Sequence, residues 1–169
     1  QSTLIPVRFP AAAAPELTEE TMPERISLTK AGEAVTALRL APEGVANTQA
    51  WQEQKPPHWA AAAEALPGSE VLATVTLKNQ SESPGMVWRR FGAGQVFYVA
   101  SDDLWRWRYL VADRYHERFW MQVANWIGDQ PGVSNVHDLH IWALSTTRTA
   151  LAAHVVWEGI DGDHFINHL

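Results

Sequence analysis

The residues best equipped for chemistry lie near the end of the chain. Val136-His-Asp-Leu-His-Ile-Trp142 sets two imidazoles and a carboxylate in a run that alternates like a strand. Ala150 to Trp157 follows after the polar turn Ser145-Thr-Thr-Arg148 and brings His154. Five of the seven histidines fall in the last 39 residues. Neutral imidazole is the commonest protein ligand for Zn²⁺ and its neighbours, so this clustering points to a divalent cation. In a flat strand side chains alternate with period two, which puts His137 and His140 on opposite faces unless a bulge intervenes. A His137–His154 pair across adjacent antiparallel strands is feasible where the register sets them opposite, with Cβ atoms about 5 Å apart. Two ligands fall short of the four of a tight structural zinc site, so a dimer mate, water or a further histidine must complete it. The competing reading is that His137 and His140 satisfy backbone groups at a strand edge.

A second constellation is Asp102, Asp103, Arg106, Arg108, Asp113, Arg114, Glu117 and Arg118, interleaved with Trp105, Trp107, Tyr109 and Tyr115. Arginine forks recognise carboxylate or phosphate in pairs, and tryptophan faces hold cations, so the segment reads as a ligand pocket or as a structural cluster. The balanced charge favours the structural account, in which arginines stack on tryptophans and pair with neighbouring acids. Ser101-Asp-Asp103 reads as a turn or N-cap rather than a nucleophile site, and His116 with Glu117 is a weak general-base candidate. Gly92-Ala-Gly94 lacks the third glycine and following helix of a phosphate cradle and reads as a hairpin turn.

The elements that must position these groups follow from the pattern. Glu70 to Leu77 is a strand by its β-branched content, and Met86 to Phe91 and Gln95 to Ala100 are two more. A helix is expected from about Asp113 to Ile127, where Tyr115, Phe119, Val123 and Trp126 share one face. Gly128 stands at its C-cap, and strands 136–144 and 150–157 come next, then a helix start near Asp161. Upstream, Pro6, Pro10, Pro15 and Pro23 argue for a poorly structured lead over 1–27. Leu28 to Leu40 carries an amphipathic pattern weakened by Gly32, and the alanine-rich stretch before Pro67 suggests a helical turn or two.

Composition narrows the classes. The chain has 169 residues, 46% of them apolar and 19% charged, which is ordinary for a globular protein. A net charge of −6 argues against a nucleic-acid binder, and no run of 18 apolar residues spans a bilayer. The absence of cysteine removes disulfides, thiolate metal sites and a thiol nucleophile together. A first residue of Gln1, with no basic-then-apolar leader, reads as a piece of something longer.

Two resemblances meet in this chain. From about Leu28 to Gln130 it resembles the glutamine-amidotransferase-like domain of large bacterial membrane proteins. The residues that carry this are Gly92-Ala-Gly-Gln-Val-Phe-Tyr-Val-Ala100, Ser101-Asp-Asp-Leu-Trp-Arg-Trp-Arg-Tyr109 and Asp113-Arg-Tyr-His-Glu-Arg-Phe-Trp120. The resemblance implies a partial flavodoxin-like layer, lacking the strands that would complete a parallel sheet. Without a cysteine nucleophile it implies a catalytically inert scaffold or binding domain. The last 39 residues are similar to the cytoplasmic C-terminal domain of cation diffusion facilitator (cation efflux) transporters, through Pro131-Gly-Val-Ser-Asn-Val-His-Asp-Leu-His-Ile-Trp142 and Ala150-Leu-Ala-Ala-His-Val-Val156. That implies a truncated ferredoxin-like α+β remnant, non-enzymatic, which dimerises and binds Zn²⁺ or a similar divalent cation at the cytoplasmic side of a bacterial inner membrane. The parent family is a membrane-embedded transporter. By position, His137 and His154 match metal ligands of some members, and His168 falls where a further ligand occurs on the next helix.

The expectation is therefore a mixed α/β chain: a lead over 1–27, an amidotransferase-like part over 28–130 and a cation-efflux part over 131–169. A fused reading frame accounts for the join, with the helix at 113–127 serving both halves. Cut sheets leave exposed edges, so a homodimer is expected.

Overall fold

In this computed structural model residues 4–10, 18–42, 44–91, 94–107, 114–129, 133–145 and 148–157 are described. For residues 91, 94, 114, 127, 133, 135–145 and 148–157 the description is of the backbone alone. Strands β1 (Val7–Arg8) and β2 (Pro23–Leu28) arise in and beside the proline-spaced lead. The lead is thus partly ordered: Pro23 opens an edge strand, where a missing N–H costs least. Then come α1 (Lys30–Ala34), α2 (Val45–Gln52), β3 (Glu64–Ala65), β4 (Glu70–Leu77), β5 (Glu82–Phe91) and β6 (Gly94–Val99). A 3-10 turn at Asp103–Trp107 precedes α3 (Arg114–Gly128), β7 (Val133–Ser145) and β8 (Arg148–Trp157).

The fold is mixed α and β. A four-stranded sheet runs in the order β2-β4-β5-β6, while β1 with β3 and β7 with β8 form separate pairs. Every described strand pair is antiparallel. The parallel layer implied by the amidotransferase resemblance is not found among the described residues. The linkers explain this locally, because four residues join β4 to β5 and two join β5 to β6, far too few for a parallel crossover.

The sheet and α3 enclose one core. Phe119 and Val123 are buried with Leu38, Leu40, Trp51, Leu72, Met86 and Trp107. Trp107 stands edge-on to Trp51 at 5.4 Å and to Phe119 at 5.5 Å between ring centroids. Aromatic pairs in this arrangement add about 0.5–1.5 kcal/mol each beyond their burial.

Two helix expectations changed. The pattern over 28–40 breaks into α1 and a 3-10 turn at Thr36–Leu38, because Val35 between them is extended. Thr29 caps α1 by accepting from the Gly32 amide at 3.1 Å, and its own amide donates to the Leu72 carbonyl at 2.9 Å. That docking draws the helix onto β4 so closely that a Cβ on Gly32 would sit 1.9 Å from the Leu72 oxygen. The alanine stretch is extended instead of helical. Its donors go to distant carbonyls, with the Ala61 amide bonding Ala100 at 2.8 Å. Helix α2 forms where no strong periodicity announced it, held by the Trp51 indole donating to the Leu38 carbonyl at 2.8 Å. Asn47 adds to this by accepting the Leu40 amide at 2.8 Å.

On the other side of the sheet Val7, Ala63 and Val87 make a small second cluster with Tyr98 packed against it. Phe9 meets Tyr98 edge-on, and the Tyr98 hydroxyl is buried with no hydrogen-bond partner among the described residues. Burial pushes this phenol from its ordinary 10.0 up to about 12. Its neutral form is favoured by folding, so the associated stability is complete below pH 10 and declines as pH rises toward 12. An alkaline absorbance titration is expected to show a tyrosinate step near pH 12 that Tyr98→Phe removes. An unchanged profile in the variant would refute the assignment.

Candidate functional site

The histidine-bearing strands form one long hairpin, with 13 residues in β7 against 10 in β8. Register shifts between Val133 and Asn135, His137 and His140, and Ala143 and Ser145 absorb the difference as three bulges on β7. His137 lies directly opposite His154, and His140 opposite Ala152. Across the middle bulge Asp138 and Leu139 together oppose the single residue Ala153. Positions 154 and 152 share a face of β8, so their partners 137 and 140 share that face too. The bulge that positions 137 and 140 need in order to share a face is thus present in the backbone. The same extra residue brings Val136 and Ile141, opposite Val155 and Leu151, together on the other face. Position 142, opposite Ala150, falls on the face of 137 and 140, so that face carries apolar and polar residue types together. Strand β7 also packs against α3, so the pair does not stand alone. His168 lies outside the described residues.

The aromatic and arginine segment behaves differently. Asp103 is buried and its Oδ2 accepts the His58 amide at 2.8 Å while standing 2.8 Å from His58 Nδ1. The Arg106 guanidinium donates to the Pro56 carbonyl, and the Trp107 indole to the Lys55 carbonyl at 3.2 Å. Two carbonyls and one amide of the 55–58 loop are thus fastened to one 3-10 turn. Trp105 is 40% exposed on the outside of that turn, and Asp102 is half-buried. Arg108 and Asp113 lie outside the described residues, as does the side chain of Arg114. Sequence reasoning passed over His58, since Pro56-Pro-His-Trp59 reads as plain loop and its partner is 45 residues away. A buried carboxylate on Nδ1 is how proteins aim an imidazole. Among the described side chains, however, no third His, Asp or Glu gathers with it to hold a metal ion.

The weak candidates resolve simply. Ser101 Oγ accepts the Asp103 amide at 3.2 Å, a local turn. His116 Nε2 accepts from the Trp120 indole at 3.2 Å, so the lone pair a general base would use is engaged. A pocket beside α1 and α2 is lined by Glu33, Arg39, Gly44, Asn47 and Thr48, and Asn47 there is committed to the backbone.

Residues 117–165 match the family described as the cytoplasmic domain of cation efflux proteins. The match begins inside α3, ahead of the boundary at 131, and takes in the whole β7–β8 hairpin. No curated protein and no solved structure matches the chain. Among the described residues no helix is long and apolar enough to cross a membrane.

Proposed function

We propose that the C-terminal segment is a non-enzymatic regulatory module of a cation efflux system that binds a divalent cation of the Zn²⁺ type. The observation that carries this reading is the direct opposition of His137 and His154 inside the family match. Opposed positions on one hairpin bring two imidazoles within reach of one ion, and Zn–N bonds of about 2.0–2.1 Å suit such a pair. His168 is the further ligand in this reading, and a second copy of the chain supplies what one hairpin lacks. The working place is the cytoplasmic side of a bacterial inner membrane, beside a membrane-embedded transporter.

Calorimetric titration of the full chain with Zn²⁺ tests this. Saturable binding is expected, and His137→Ala/His154→Ala is expected to weaken it by more than about 100-fold, beyond the cost of disturbing outer-shell groups alone. Affinity also falls as the pH drops below about 6, because only neutral imidazoles coordinate. Identical heats for wild type and double variant would defeat the proposal.

A second reading has its own support. The Asp103, Arg106 and Trp107 contacts spend their polar groups on the 55–58 loop, which suits an inert amidotransferase-like scaffold. That reading expects no Zn²⁺ heat at all.

A further inference from the structure

We infer that Trp88, Phe97 and Trp126, with Glu70 at their rim, form an aromatic notch that takes a quaternary ammonium group. The strand register sets out the row from which it is built. Glu70 on β4 lies directly opposite Trp88 on β5, and Trp88 lies opposite Phe97 on β6. Cross-strand partners project from the same face of a sheet, so these three side chains stand abreast across three strands. Helix α3 packs on that face, and its last turn carries Trp126. The Trp126 ring stands 6.2 Å from that of Trp88 at 88°, and 6.0 Å from that of Phe97 at 64°, centroid to centroid.

All three rings are half-buried, whereas the core rings Trp51, Trp107 and Phe119 are closed off from water. Steeply inclined rings with centroids about 6 Å apart can box in a point about 4 Å from each, well inside the roughly 6 Å reach of a cation–π contact. Ring faces are negative, and tryptophan holds a cation best. Glu70 supplies a full charge. Its Oε2 accepts the Trp88 indole N–H at 2.7 Å, which fixes the carboxylate against the aromatic row. A lysine ammonium carries three N–H donors that ring faces leave unsatisfied, whereas a trimethylammonium carries none. The carboxylate also opposes a ligand with an anion beside its cationic head. Choline or a trimethylated lysine side chain therefore suits the notch better than phosphocholine. Arg90 comes two residues on along the same face but is exposed, where water and salt screen its repulsion.

The full chain is titrated with choline chloride while its indole N–H resonances are followed, and again with neohexanol, the uncharged carbon isostere of choline. Saturable movement of the Trp88 and Trp126 resonances is expected with choline, and binding of neohexanol weaker by about 10-fold or more. Phosphocholine is expected to bind more weakly than choline. Glu70→Gln, at an exposed position, is expected to weaken choline by about 2–5-fold with unchanged far-ultraviolet circular dichroism. Trp88→Leu is expected to weaken it by about 10-fold or more. An amidated trimethyllysine run in parallel separates the two sources: tighter binding than choline assigns the notch to a methylated protein side chain, and weaker binding to a free small cation. Equal affinity for choline and neohexanol would overturn the inference, since the notch would then be merely apolar. Resonances that stay put at up to about 0.1 M choline, far above a millimolar Kd, would overturn it too. The wild-type comparison decides the matter even where Trp88→Leu does not fold.

Discussion

Trp107→Ala is expected to remove a large share of the stability of the core that it shares with Trp51 and Phe119. The ring is 1% exposed and touches Trp51 and Phe119 edge-on, so its deletion opens a cavity where three elements meet. Burial loss and cavity together cost about 3–5 kcal/mol for a tryptophan in such a setting. The indole bond to the Lys55 carbonyl is lost as well, which leaves the 55–58 loop hanging on Asp103 and Arg106. Against a total of about 5–15 kcal/mol for a domain, that is a large share. Urea unfolding followed by circular dichroism measures it, with Trp105→Ala as the comparison. Trp105 is 40% exposed on the same turn and should cost about 1 kcal/mol or less. Equal losses for the two variants would show that the aromatic triangle is not the centre of the core.

Gly32→Ala is the second large effect, and its sign is the informative part. Helix propensity alone makes alanine better than glycine by about 1 kcal/mol in a helix interior. The structure demands the reverse, because the added methyl carbon would lie 1.9 Å from the Leu72 carbonyl oxygen and 2.8 Å from its carbon. Both are backbone atoms of a central strand and cannot rotate away. Relief requires α1 to lift from β4, which breaks the Thr29 amide bond to Leu72 and the Thr29 hydroxyl bond to the Val71 carbonyl at 2.7 Å. A loss at or above the upper end of the usual 1–3 kcal/mol for overpacking is expected in the same urea experiment. A more stable variant would mean that helix and strand stand further apart.

What the sequence disclosed depended on how local the cause was. Strand β4 and helix α3 were legible because their patterns are self-contained: β-branched residues in one, and Tyr115, Phe119, Val123 and Trp126 on one stripe in the other. The breakdown of 28–40 was not, because it is decided by Thr29 reaching a carbonyl some 40 residues away. Glycine there looked like a weak helix position when it was a contact point. The extended alanine stretch failed for the same reason, its partners being Ala100 and Pro6. The acid and arginine cluster showed its charge balance in the sequence but not its target. Carbonyls of Lys55 and Pro56 carry no side-chain signature. At the hairpin the alternation of residues was visible, while the bulge was not. Its only trace was that Val136 and Ile141 sit five apart, an odd spacing for two residues that need the same side.

Helix α3 has a consequence for anyone who divides this chain. Phe119 and Val123 close the core beneath Leu38 and Trp107, yet the efflux-type match already begins at Glu117, and β7 leans on the same helix. A fragment stopping before Arg114 would leave a bare greasy trough, and one starting at Glu117 would carry two naked core side chains into water. Helix α3 is thus shared by the core of the four-stranded sheet and by the matched segment, and a cut on either side of it exposes side chains that the fold buries.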